Sequence, residues 1–258
     1  MASEATIWSS EVGSECAPLI ALVHGSMDRS TGMLKLSRQL DSRFRVLRYD
    51  RRGYGRSVDQ DGTHPGPFDM ASQVEDLARL LGGRRALLVG HSYGGNVALT
   101  LGAQQPQLVA AIVVYESPMS WEPWWPGTTG GGAALAAGRD GGRAAEVFMR
   151  GLVGDAAWDR LPERTRDKRR AEGEAMLGEL SDLRRNRPWI ASEITCPVMI
   201  GRGTNGRPHH QDGARQLHEQ ISGSQLVTLD GCRHDAPLSH PQLFTEQLIE
   251  PMVSYLEA

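Results

Sequence analysis

Apolar and polar positions along the chain follow two different periods. Short continuous apolar runs, of the length of buried strands, occur at 19–23 (LIALV), 86–89 (ALLV), 108–116 (LVAAIVVYE), 198–201 (VMIG) and 225–229 (QLVTL). FRVLRYD at 44–50 reads as a further strand and TIWSS at 6–10 as an edge strand. Between these runs the spacing turns helical. Met33, Leu34, Leu36 and Leu40 fall on one side of 33–41, and Met70, Val74, Leu77, Leu80 and Leu81 do so over 70–81, with Asp69 placed as an N-cap. A helix runs from the Gly94 region to about residue 105, where Pro106 stops it, and two more are expected at 213–221 and 241–256. The alternation predicts an α/β fold: a mostly parallel twisted sheet of about seven to eight strands flanked by helices.

The alternation lapses after residue 117. SPMSWEPWWPG is rich in Trp and Pro, GGGAALAAGRDGG is small and reads as flexible, and a long polar helix, RTRDKRRAEGEAMLGELSDLRR, follows. Residues 118–190 are therefore expected to form a mainly helical insertion into a core made of 1–117 and 191–258. The polar Gly/Pro segment 58–67 reads as a loop.

Composition narrows the function. A 258-residue chain with 40% apolar residues has enough material for a sizeable core, and a formal net charge of −3 gives no footprint for nucleic acid. No apolar stretch approaches a membrane span, and the N-terminus lacks the basic and apolar regions of a secretion signal. Cys16, Cys196 and Cys232 fit neither a zinc pattern nor a disulfide framework. A cytoplasmic protein acting on a small molecule, with no cofactor, no metal, no nucleic acid and no membrane partner, is the expectation.

Candidate chemistry centres on Gly90-His91-Ser92-Tyr93-Gly94. A bare Gly-x-Ser-x-Gly spacing arises easily by chance in a chain with 30 glycines, but here an apolar strand precedes it and a helix follows. A serine on so sharp a turn needs small neighbours two positions away. The helix behind it points N–H groups and the positive end of its dipole at the serine.

Four motifs in order, His24-Gly25, the Asp50–Ser57 loop DRRGYGRS, GHSYGG at 90–95 and DGCRH at 230–234, make the chain resemble the α/β-hydrolase superfamily over essentially its whole length. The insertion lies where that family carries its cap, between its sixth and seventh sheet strands. The resemblance implies Ser92 as nucleophile, His234 as general base and acid, and an oxyanion hole from the backbone N–H of Tyr93 and of Ser26, or else of Met27. The family's commonest acid, an Asp after the strand at 198–201, is missing: Asn205 stands there. Glu116, at the end of the preceding strand, is the preferred substitute, since neighbouring strand ends lie about 5 Å apart. A subgroup of haloalkane dehalogenases and the coelenterazine luciferases resemble this arrangement. Asp212 is the second choice, and Asp235 reads as a local loop residue.

The remaining features have plainer readings. His24 is expected to shape the oxyanion turn, His91 to pack against neighbouring loops, His209-His210 to lie in a solvated loop, Arg51-Arg52 to be structural, and the charge run 163–174 to form the wet face of a cap helix. Met27, Trp121, Trp124 and Trp125 are candidate substrate-binding residues, and at least one tryptophan is expected to line the pocket. The resulting expectation is a serine hydrolase cleaving an ester, lactone or thioester of a small to medium, partly apolar substrate. The alternatives are an acyltransferase or cyclising thioesterase-like enzyme with the same triad, and a non-catalytic small-molecule-binding member of the fold.

Overall fold

The computed structural model describes residues 6–57 and 66–256. Seven strands form its sheet: β1 (Ser9–Val12), β2 (Leu19–Val23), β3 (Arg45–Tyr49), β4 (Ala86–His91), β5 (Val109–Tyr115), β6 (Val198–Gly203) and β7 (Gln225–Leu229). Their order is β1-β3-β2-β4-β5-β6-β7, with β1 antiparallel to β3 and every other pair parallel. The central strands are apolar throughout because both faces are covered. Leu19, Ala21 and Val23 of β2 face one apolar cluster while Ile20 and Leu22 face the other. On the first face pack α2 (Met70–Leu81), α3 (Tyr93–Gln104) and α9 (Pro208–Gln220). On the second lie α1 (Leu34–Leu40) and the closing helical run.

Several boundaries differ from the expected ones. The edge strand starts at Ser9 rather than residue 6, because Trp8 is drawn to the Asp50 loop: its carbonyl accepts the Asp50 N–H (3.0 Å) and its N–H donates to Ser57 Oγ (3.0 Å). Asp69 caps α2 by accepting from the Ser72 N–H at 2.9 Å. α9 begins at Pro208, five residues before the expected start, with proline at a position where its missing N–H costs nothing. The closing run spans 241–256 but changes pitch, from an α-turn (Pro241–Phe244) through a π-turn (Thr245–Ile249) to a 3₁₀ stretch (Glu250–Leu256) that contains Pro251, which has no N–H for an α-helical ladder. Of the loop expected at 58–67, residues 58–65 lie outside the described residues.

Between β5 and β6 come five α-helices, α4 (Gly130–Ala136), α5 (Gly141–Val153), α6 (Asp155–Arg160), α7 (Glu163–Ala171) and α8 (Gly173–Arg185), and a short 3₁₀ turn at Ala191–Glu193. The glycine-rich stretch read as flexible is α4, started by Thr129, whose hydroxyl accepts the Gly132 N–H. The long polar helix is two helices divided at Glu172. The helices share a small apolar core with Met27 and Tyr54 of the sheet's loops. Buried charges supply the other anchors. Glu179 of α8 receives the fully buried Arg51 (2.8 Å) and the Tyr54 hydroxyl, and Glu172 receives Arg29 (2.6 Å) and the Gly55 N–H (2.9 Å). Glu172 is 1% exposed, so the charge run is not wholly a wet face.

Arg51 is the most committed of these groups, since it also donates to the carbonyls of His24 (2.9 Å) and Gly25 (3.1 Å). Removing its carboxylate leaves a buried charge unpaired, which costs about 3–5 kcal/mol. Glu179→Ala is expected to lose about that much in urea denaturation. The Arg51→Met/Glu179→Leu double variant should recover part of the loss, because it removes both charges.

Candidate active site

The register of the parallel strands sets the site. His91 of β4 pairs with Tyr115 of β5, so these two strands end level, and Tyr115 pairs with Gly201 of β6, which runs two residues further to Gly203. The residues that follow, Ser92 and Glu116, emerge side by side at the carboxyl edge of the sheet, where open α/β sheets place their ligands. Both have left-handed backbone, Ser92 at φ 53° and Glu116 at φ 46°. Such conformations cost about 1–3 kcal/mol in non-glycine residues and persist only where the surroundings impose them. Here the Ser92 N–H donates to the Tyr115 carbonyl (2.9 Å), and the Glu116 N–H to that of Gly201 (3.0 Å). The flanking glycines are obligatory. A Cβ on Gly90 would lie 2.5 Å from the Gly94 carbonyl oxygen, and one on Gly94 would lie 2.3 Å from that of Val23.

Glu116 is 1% exposed. Its Oε1 accepts the Gly203 N–H (3.0 Å), and its Oε2 accepts His234 Nδ1–H (2.8 Å). His210 Nδ1 lies 3.0 Å from the same Oε2 but off the line of a hydrogen bond. Burial alone would raise the carboxyl's pKa; the imidazoles of His210 and His234 outweigh it and hold the group well below the usual carboxylate range. Glu116 is thus an anion, and it fixes the proton of His234 on Nδ1, leaving Nε2 free. Burial, and then the nearby His210, lower the pKa of His234, with Glu116 opposing them.

The other carboxylates considered for this place are elsewhere. Asp212 is exposed and lies 3.5 Å from Arg215, and Asp235 is exposed at the start of the short helix α10 (Ala236–Ser239). Asn205 points away from Glu116. It donates from Nδ2 to the Gly231 carbonyl (3.0 Å) and from its backbone to that of Cys232 (2.9 Å), bracing the loop that carries His234.

Two further histidine rings pack against His234. His91 stands 4.6 Å away and donates from Nε2 to the His234 carbonyl (2.8 Å); burial and then His234 push its pKa down to about 3, so it is neutral. His210 stacks at 4.2 Å and 20°. The solvated loop expected at 209–210 is instead the first turn of α9, and both rings lie against Trp125. Sequence reasoning missed His210 because the helix start was placed too late; Pro208 was the available signal. Glu116, His210 and His234 bring three potential metal ligands within 4.8 Å of one another. Zinc needs lone pairs converging on one point about 2.0–2.2 Å from each ligand. Nearly parallel stacked imidazoles do not converge, and Oε2 is already occupied by the His234 proton, so the group fits a hydrogen-bonded acid–base pair better than a metal site.

The turn after β2 faces Ser92. His24 is fully buried, accepting the Arg51 N–H at Nε2 (2.8 Å) and donating from Nδ1 to the Gly25 carbonyl (2.8 Å), and burial followed by Arg51 holds it neutral. Met27 takes φ 56°, and neither its N–H nor that of Ser26 enters the turn's backbone hydrogen bonds among the described residues. Arg52 forms a two-pronged pair with Asp76 (2.8 Å each), so both arginines of the 51–52 pair are internal struts.

Above Ser92 and His234 is a cavity of about 1020 Å³ between the sheet's loops and the α4–α8 helices. Ser26, Met27 and Trp125 line it. Trp121 and Trp124 do not: Trp121 stacks edge-on with Trp189 (5.4 Å) in the core, and Trp124 is 40% exposed against Trp125. The proline-broken run Trp121–Trp125 does not follow one face, which is why one ring reaches the cavity and the others do not.

Known proteins resemble the chain in sequence and in structure. A 2-(acetamidomethylene)succinate hydrolase of Mesorhizobium japonicum is 34% identical over 99 residues, a match spanning 38% of this chain and 35% of that relative's own length. A protein of Agrobacterium fabrum named as the carbamate hydrolase RutD is 25% identical over 242 residues, covering 91% of this chain and 92% of the relative. Among solved structures, a hydrolase from Pseudomonas aeruginosa PA01 superposes with a TM-score of 0.75 at 25% identity, covering 100% of this chain and 97% of the other. Among the described residues no helix is long and apolar enough to cross a membrane. The sequence profile of the Alpha/beta hydrolase family matches residues 20–247, and the chain belongs to that family.

Proposed function

We propose that the chain is a serine hydrolase in which Ser92 is the nucleophile, His234 the base and Glu116 the acid. The observation that carries this reading is the 2.8 Å hydrogen bond from His234 Nδ1 to a buried carboxylate, on the loop facing a serine held at φ 53°. His234 Nε2 takes the Ser92 proton as Oγ attacks the substrate carbonyl. The oxyanion is received by the backbone N–H groups of Tyr93 and Ser26. His234 then protonates the leaving group, and a water activated by the same nitrogen releases the acyl group. Esters, lactones and thioesters of small to medium, partly apolar acids suit the cavity, and the relatives' names add a carbamate to the compounds to assay. The His234–Glu116 contact speaks against a purely binding role for the fold.

Ser92→Ala should abolish turnover of short 4-nitrophenyl esters while circular dichroism and melting stay unchanged; retained turnover would remove Ser92 from the chemistry. Glu116→Gln should lower kcat by about 100-fold or more with little change in KM, because the carboxylate offsets charge that forms during the reaction. Asp212→Asn should remain close to wild type. The reverse pattern would move the acid to Asp212.

pH gives a separate check. Only neutral His234 accepts the serine proton, and its pKa lies below the ordinary value. The acid limb of kcat/KM is therefore expected below about pH 6.5, with activity lost as pH falls through it. A midpoint above about 7 would contradict a half-buried, net-destabilised imidazolium.

A further inference from the structure

The cavity wall is more basic than the chain. It carries Arg169, Arg184, Arg207 and Arg233 against Asp28 and Asp235, in a protein whose formal net charge is −3. Asp28 is folded back on its own turn, where its Oδ1 accepts the Arg29 N–H (2.8 Å), and burial raises its pKa. Arg169 is answered by Glu172 (3.2 Å). Arg207 and Arg233 are exposed.

Arg184 is different. Among the described residues of 118–190, the half-buried arginines Arg150, Arg166, Arg169 and Arg170 each hold at least one carboxylate, and Arg184, equally half-buried, holds none. Its single hydrogen bond runs from Nη1 to the Trp125 carbonyl and is long, at 3.5 Å. A cation at the C-terminal turn of α8 complements the helix dipole, but Arg185 beside it does that from an exposed position. A guanidinium drawn partly out of water without a carboxylate is costly unless something anionic completes it.

We propose that Arg184 is the anion-binding residue of a substrate subsite, and that the substrate is an ester bearing a carboxylate. This rests on the serine-hydrolase reading. Arg207 and Arg233, exposed in the same wall, would attract such a substrate into the cavity.

The test compares each anionic ester with a neutral one of similar size. For a carboxylate on the acyl half, the pair is mono-4-nitrophenyl glutarate and 4-nitrophenyl valerate. For one on the alcohol half, it is the butyrate esters of 4-hydroxybenzoate and of 4-hydroxybenzamide. Arg184→Gln is expected to lower the anionic-to-neutral ratio of kcat/KM about tenfold in one pair, through KM, and raised salt should lower the same ratio in the wild type. The pair that responds identifies the half that carries the acid. A fall of less than threefold in both pairs overturns the proposal, and because each ratio has its own neutral control, a general loss of folding cannot imitate the effect. If the wild type turns over none of the four esters, the hydrolase reading fails separately. The subsite is then judged by calorimetric binding of free glutarate and 4-hydroxybenzoate: at least threefold weaker binding to Arg184→Gln for either one supports it. Smaller differences, or no binding to the wild type, overturn it.

Discussion

The arrangement at the sheet edge depends on one buried negative charge. Glu116 leaves β5 in a left-handed conformation with its carboxylate shielded from water, a state tolerable only if every lone pair facing the protein meets a proton. The Gly203 N–H and the His234 Nδ1–H supply two such protons, from the end of β6 and from the loop after β7. The carboxylate thereby ties three consecutive strand ends together. It also sets the tautomer of His234, and that decides which nitrogen keeps the lone pair. Ser92 needs no such partner to hold its place, because β4, the Tyr115 carbonyl and the small neighbours of the turn already impose its geometry.

A second set of buried charges joins the helices to the sheet. Arg51 follows β3 and reaches into α8 for Glu179, while its own N–H anchors His24 and its guanidinium holds the carbonyls of residues 24 and 25. The turn after β2 and the cavity roof therefore share one ion pair. Apolar contact between the two parts comes from the small cluster around Met27 and Tyr54 and from Leu183 of α8, which joins the core on the α2–α3 face of the sheet. Directional bonds act together with this apolar contact to fix where the roof sits above Ser92, a precise but costly addition.

Much of the sheet was legible in the sequence because buried parallel strands are nearly uninterrupted apolar runs, and LIALV, LVAAIVVYE and VMIG read that way with little ambiguity. The serine turn was legible because its glycines answer a steric demand local to five residues. Less was legible where the deciding interaction is distant in sequence. Glu172 and Glu179 read as polar helix surface, since their partners Arg29, Arg51 and Tyr54 lie more than a hundred residues earlier. α4 was hidden by its glycines, whose low helix propensity is overridden by the Thr129 cap and by packing on α5 and α8. His210 was missed by a boundary error of a few residues, the least reliable kind of inference from periodicity.

Glu116 could be singled out through the resemblance to family members that carry their acid one strand earlier, and the structure supplies a physical reason for the asparagine at 205. With the carboxylate at the end of β5, the loop after β6 must approach it closely enough for the Gly203 N–H to donate, and Gly206 passes so near that a Cβ there would stand 2.4 Å from Glu116 Oε1. An aspartate in that loop would bring a second negative charge toward the first. Asparagine adds none, and its amide N–H can do what a carboxylate cannot, donating to the Gly231 carbonyl of the histidine loop. The residue that departs from the commonest family pattern thus has a positive role. It holds the His234 loop by hydrogen bonding while Glu116, one strand away, supplies the charge.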